Sequence, residues 1–183
     1  MMLNAIGCIE LNSIARGYEV ADAMVKAASV EIVFHRTICP GKFVILVTGP
    51  IGAVNAAIES GLHIGDGAVV DELIISNVHP DVFSAISGTN EVTYTGALGV
   101  VETFSVAAII EAADAAVKAS DVQLLDIHMA MAIGGKGIVT LIGDVSSVQA
   151  AVQVACESIK GKGVLVNKAV IPSPSPEVLN GKL

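Results

Sequence analysis

Apolar positions in the first half of the chain switch repeatedly between a strand-like and a helix-like spacing. Ala5–Glu10 is a short apolar run of the kind that forms a strand, and Ser13 behind it is placed to cap a helix. From Ile14 to Ala27 the apolar residues recur at helical spacing among Ala, Met, Glu and Lys, which favour helix. Val30–Phe34 and Phe43–Val47 are β-branched and aromatic runs separated by the turn Cys39-Pro40-Gly41, so they predict two strands joined by a loop. Ile51–Ser60 predicts a second amphipathic helix ended by Gly61, and Leu73–Val78 a fourth strand closed by His79-Pro80. The order β-α-β-β-α-β is that of the split βαβ, ferredoxin-like arrangement, an α+β fold with helices on one face of a mainly antiparallel sheet.

The same pattern is then written a second time. Ala5–Glu31 reappears as Ala97–Gln123 at a shift of 92, with Gly7, Glu10, Ser13, Asp22 and Lys26 among the residues that meet their own type. Gly41-Lys42 matches Gly135-Lys136 at a shift of 94, and Val78 and Pro80 match Val170 and Pro172 back at 92. Such a period is the size of a small domain rather than a solenoid unit. Two tandem domains, 1–90 and 91–183, are therefore expected, with Ser87–Asn90 as the linker. The second copy reads as Leu98–Glu102, Val106–Ala119, Val122–Ile127, Ile138–Ile142, Val145–Glu157 and Val164–Ile171. Asp81–Ile86 predicts a short helix, and the tail Pro172–Pro176 is too proline-rich for regular structure.

Composition narrows the class. The 183 residues are 53% hydrophobic and only 15% charged, and each half is small for an independent domain, so much surface is expected to be covered in an assembly. Every apolar stretch is interrupted before it reaches the ~20 residues that a membrane span needs. With a net charge of −8 and no basic cluster beyond Lys160-Gly161-Lys162, binding to nucleic acid is not expected. MMLNAIGCIE lacks the basic and apolar regions of a secretory signal, and three unevenly spaced cysteines point to reduced thiols in a cytoplasmic protein.

The combination AIGCIE, DAMVKAASV, PGK and GPIGAVNAAIESG, echoed by LGVVE, DAAVKASDV, GGK and GDVSSVQAAVQVA, resembles the bacterial microcompartment shell domain in two unpermuted copies. The resemblance runs from Ala5 to Pro174. It is nearest to the tandem shell proteins of propanediol-utilisation type that carry an iron–sulfur cluster, which share a Cys-Pro-Gly-Lys loop in the first copy. That likeness implies a homotrimer forming a flat pseudohexamer, tiled with other shell proteins into the facet of a bacterial microcompartment. It places Lys26 and Lys118 at the contact between neighbouring tiles. It also places the loops Thr37–Lys42 and Ala132–Lys136, with Ile38, Cys39, Pro40, Gly41, Gly134 and Gly135, around a central pore. Ser173 stands where the family usually has an arginine in an Ile-Pro-Arg-Pro ending, so the arginine part of the edge contact is not expected here.

Cys39 is the one cysteine that sits in a turn outside an apolar stripe. His35, Arg36 and Lys42 lie near it in sequence, a setting that would favour thiolate. Cys8 in the first strand and Cys156 in a helix read as buried structural thiols. In the trimer that the resemblance implies, three copies of Cys39 would meet on the pore axis and could hold one [4Fe–4S] cluster with its fourth iron open, serving electron transfer or cluster relay, with encapsulated redox enzymes as partners. A three-cysteine zinc site is the chemical competitor. His63, His79 and His128 read as turn, helix-end or pore-rim residues, and Ser13 and Ser105 as helix caps. A structural protein rather than an enzyme is expected. The alternatives are a tandem ferredoxin-like module binding a small ligand or acting as a regulator, with Cys39 incidental, and a thiol catalyst, for which only His35 is near in sequence.

Overall fold

The computed structural model describes residues 5–90, 96–130 and 133–179. Ala132 of the second loop and Met131 beside it lie outside the described residues. By internal contacts the chain divides into two compact units. The first runs to Val78 and takes in Ser105–Ala107 and Ala130–Gly135; the second comprises His79–Phe104, Ala108–Met129 and the chain from Lys136 onward.

The first unit holds β1 (Ala5–Leu11), α1 (Ile14–Ala27), β2 (Glu31–Ile38), β3 (Lys42–Gly49), α2 (Ile51–Gly65) and β4 (Val69–Ile75). Its sheet has the order β2-β3-β1-β4 with every neighbour antiparallel, as the split βαβ pattern requires. Ile9, Leu11, Phe43, Ile45 and Val47 from the sheet meet Val20, Met24, Val54 and Ile58 from the helices in one core. Each such side chain contributes about 1.5–3 kcal/mol on leaving water. At the head of α1, Ser13 Oγ accepts the Arg16 N–H at 3.3 Å, the capping role its position suggested.

The second unit holds α3 (Pro80–Ile86), β5 (Ala97–Thr103), α4 (Val106–Ala119), β6 (Val122–Met129), β7 (Gly137–Gly143), α5 (Val145–Ser158), β8 (Leu165–Ile171) and α6 (Pro176–Leu179). Its sheet repeats the topology as β6-β7-β5-β8, and α3 packs on β6. Asn90 Nδ2 donates to the Leu124 carbonyl at 2.6 Å, which ties the expected linker down at its end.

Three expectations are corrected. Gly61 does not end α2, which continues to Gly65. A Cβ at Gly61 would lie 2.5 Å from Ile9 Cδ1 and 2.9 Å from Met24 Cγ, so this glycine lets the helix approach strand and helix rather than terminating it. The last strands also align differently from the sequence match. Ile6 pairs with Ile75 and Leu98 with Ile171, so β4 and β8 correspond at a shift of 96, and Val78 answers to Pro174 rather than Val170. At that shift Pro80, which opens α3, answers to Pro176, which opens α6. The tail is thus irregular only up to Ser175, where Val178 and Leu179 donate their N–H groups back to the Ser175 carbonyl. Proline at the first helical position gives up no bond, which is why it starts a helix it could not continue.

Candidate functional site

The turn between β2 and β3 is built by three residues. Ile38 ends the strand buried, Cys39 is half-buried, and Pro40 and Gly41 are exposed. Gly41 closes the turn with φ +84°, a conformation open to glycine, and its N–H donates to the Ile38 carbonyl at 3.0 Å. The Cys39–Pro40 peptide is cis.

Within the same unit the segment after β6 lies against this turn. The Cys39 N–H donates to the Ala130 carbonyl at 3.3 Å. Gly135, with φ +82°, comes so near that a Cβ there would sit 2.5 Å from the Cys39 carbonyl oxygen and 2.8 Å from Pro40 Cδ. Gly134, with φ +68°, is exposed and open on the side where a Cβ would go. The structure therefore brings Cys39, Pro40 and Gly135 together, with Gly134 at the rim.

The cations close in sequence to Cys39 are engaged elsewhere. Lys42 Nζ lies 2.7 Å from Glu10 Oε1. The Arg36 guanidinium stacks over the Phe34 ring at 4.8 Å. His35 packs its ring against Tyr18 and Phe43, each at 5.9 Å between centroids. Alternation along β2 sends His35 and Arg36 to opposite faces.

Cys8 is fully buried in β1 opposite Leu46 and Leu73. Cys156 is buried on α5, and burial pushes its thiol above the ordinary range against the partial offset of Lys168. Among the described residues no group of three His, Cys, Asp or Glu side chains could hold a metal ion. A metal centre at Cys39 would thus need the same thiol from several chains. One half-exposed thiol per chain, on a turn whose Pro40 and Gly41 are exposed, fits such a shared centre.

Lys26 pairs with Asp22 at 2.6 Å, both exposed, and Lys118 pairs with Asp114, which is buried. His128 sits on β6 opposite Ile138, beside Asp126, whose carboxyl burial raises and His128 partly lowers. His79 caps α3, its Nδ1 accepting the Asp81 N–H at 3.3 Å, and His63 is exposed in the last turn of α2. Ser105 does not mirror the local cap of Ser13. Its hydroxyl bonds to the carboxylates of Glu10 and Asp71.

What the sequence reading missed is a repeated acid–base pair, Glu10 with Lys42 and Glu102 with Lys136, the second at 2.8 Å. The signal was present, because both the glutamate and the lysine recur between copies. It lacked only the register that sets Glu10 opposite Val44 and Glu102 opposite Ile138.

The sequence signature of the BMC domain matches residues 5–78 and again 97–174, the two β-α-β-β-α-β sets just described. The chain belongs to the BMC-domain family. This tandem BMC-domain chain is 51% identical over 173 residues to the bacterial microcompartment shell protein PduT of Citrobacter freundii, with 94% of each chain covered. It is 42% identical over 82 residues to the carboxysome shell protein CsoS1C of Halothiobacillus neapolitanus, across 43% of this chain and 83% of that one. Its structure resembles that of a microcompartment protein from Desulfitobacterium hafniense DCB, with a TM-score of 0.87 at 44% identity over 98% of this chain and 99% of the other. The fused permuted hexameric shell protein MSM0275 from the RMM microcompartment gives 0.65 at 26% identity over 85% and 81%. The chain is a tandem BMC-domain shell protein, and among its described residues no helix is long and apolar enough to cross a membrane.

Proposed function

We propose that this shell protein assembles as a homotrimer with the outline of a hexamer, tiles a microcompartment facet beside other shell proteins through edges that carry Lys26 and Lys118, and acts as a redox element of the shell rather than as an enzyme. In the proposal Cys39 from three subunits holds one [4Fe–4S] cluster at the pore. The observation that supports it is the Cys39 turn, in which a single half-exposed thiol stands beside the exposed Pro40 and Gly41 at the end of the β2–β3 hairpin. Only the first copy has the cysteine, so threefold assembly yields three thiolates and not six, a number suited to a four-iron cluster with one iron left for another ligand.

Such a cluster supplies one-electron transfer between the interior and the cytosol, or a store of iron and sulfide for relay to an encapsulated redox enzyme. The protein's own part is to present the thiol and to keep competing thiols away from it. Cys8 and Cys156 are buried in their own domains.

Anaerobic purification followed by visible absorption and iron and sulfide analysis tests the proposal. The wild type is expected to show broad brown absorption with bound iron and sulfide, Cys39→Ser to lose both, and Cys8→Ser and Cys156→Ser to keep them. Iron without sulfide would indicate a mononuclear three-cysteine site. Reconstituted wild type without metal would leave a plain shell tile, or a ligand-binding module in which Cys39 is incidental.

A further inference from the structure

The connection from α2 to β4 holds a strained residue. Asp66 follows the last residue of α2 with φ +41° and ψ −133°. Those angles lie near the roughly +60° and −120° of the first central residue of a type II′ turn, where glycine is the usual occupant. The reason is ψ, which turns the following nitrogen until it nearly eclipses Cβ about the Cα–C bond, so residues that have a Cβ avoid it. The second copy avoids it as well. From Gly143 to Ile171 that copy has two residues more than the first has from Gly49 to Ile75, and its positive φ falls on Gly163.

Bonds on both sides hold Asp66 in that conformation. Its N–H donates to the Leu62 carbonyl, and its own carbonyl accepts the Val69 N–H at the close of a single 3-10 turn, Asp66–Ala68. The Asn12 N–H donates to the Ala68 carbonyl at 2.9 Å. Gly65 is buried, and a Cβ there would lie 2.6 Å from Val69 Cγ2, so the turn is packed closely on the strand it enters. Strain of this kind persists only where the surroundings over-determine it. The side chain, by contrast, is unconstrained. Asp66 is exposed, and its carboxylate makes no hydrogen bond or ion pair among the described residues. Gly67 is exposed too, and a Cβ there would meet nothing within 4 Å. Asp66-Gly67 is also the one Asp-Gly step in the sequence.

We infer that Asp66 is a site of self-modification, at which the Gly67 main-chain nitrogen closes on the Asp66 carboxyl and the residue passes through a succinimide to isoaspartate. Closing the five-membered ring needs that nitrogen and Cβ eclipsed, so the fold holds a near-attack arrangement that a free chain seldom visits. The nitrogen bonds to Cγ and gives up its proton, the bond from Cγ to a hydroxyl breaks, and one water leaves. A second water then opens the ring. Addition at Cγ restores aspartate. Addition at the Asp66 main-chain carbonyl carbon breaks that carbon's bond to the Gly67 nitrogen and leaves isoaspartate, with the chain running through Cβ and Cγ. This second outcome adds one carbon to the main chain and frees it from the eclipsed angle, so relief of strain favours the product. The reaction consumes no oxidant or cofactor, and it is independent of the cluster and of the trimer.

Prolonged incubation of the wild type at physiological temperature and neutral pH tests it, with circular dichroism to confirm the fold and a synthetic peptide of residues 60–72 beside it. Isoaspartate is counted with an isoaspartyl carboxyl methyltransferase and a labelled methyl donor, then located by electron-transfer fragmentation of the digested chain. Location is needed because Asn180-Gly181 yields the same product with loss of ammonia. The folded chain is expected to form isoaspartate at Asp66 at least as fast as the peptide does, since a fold that held any other ψ would slow the reaction. Asp66→Gly, which suits the angles and has no carboxyl, and Asp66→Glu, which would have to close a six-membered ring, are expected to lose the signal at this place. A folded chain that reacts more slowly than the peptide, or a methylation count unchanged by Asp66→Gly, would overturn the inference.

Discussion

Lys42 Nζ lies 2.7 Å from Glu10 Oε1, and the carboxylate it meets is fully buried. The lysine two residues beyond Pro40 is therefore part of the frame under the turn. Its ammonium neutralises a carboxylate that already accepts three other hydrogen bonds. Losing it would leave a buried charge short of one counterion, a loss that commonly outweighs the gain of making the pair.

Lys42→Ala is accordingly expected to lower the unfolding free energy by about 2–4 kcal/mol, measured by urea denaturation. Lys136→Ala, whose partner Glu102 remains partly exposed in the chain, is expected to cost about 1 kcal/mol or less in the same assay under conditions that keep the chains apart. Equal losses at the two lysines would contradict the difference in burial.

Gly135→Ala meets both a positive φ and the Cys39 carbonyl, so it is expected to destabilise by about 1–3 kcal/mol and to change the rate at which Cys39 reacts with a soluble disulfide reagent. Gly134→Ala carries the positive φ but meets open space, and about 1 kcal/mol with an unchanged thiol rate is expected. An unchanged thiol rate in Gly135→Ala would show that the glycine does not position the turn.

Burial holds the Asp126 carboxyl above its ordinary 3.8, with His128 offsetting part of the rise. The folded chain thus binds this proton more tightly than the unfolded one. The group favours the fold below its unfolded range, and that contribution is lost as the pH rises through the raised folded value. Asp126→Asn is expected to raise the thermal midpoint at neutral pH, with the gain shrinking to nothing in acid where both states are protonated. A gain that stays constant with pH, or a loss at neutral pH, would show that the carboxylate is stabilised by its surroundings.

Much of this was readable from the chain because its period changes are sharp. The run Ala5–Glu10 became an inner strand, and the spacing from Ile14 to Ala27 became one helix with the same bounds. Gly61 misled, since a glycine that breaks a helix and one that admits a close neighbour look alike until the neighbour is known. The pairing of Val78 with Val170 misled for a related reason. Isolated identities near the end of a repeat cannot register two further inserted residues, whereas the ladder from Ile6 to Ile75 and from Leu98 to Ile171 does. At the site, the turn and its cysteine were visible locally. The carboxylate on the start of α4 was not, because Glu10 and Val106 are 96 residues apart and nothing local links them.

The most direct measurement is the native mass of the anaerobically purified protein. The account expects three chains together with the mass of one four-iron, four-sulfide cluster, and the same three chains without that added mass in Cys39→Ser. A reconstituted trimer that carries no iron or sulfide, or a cluster retained by Cys39→Ser, would contradict it.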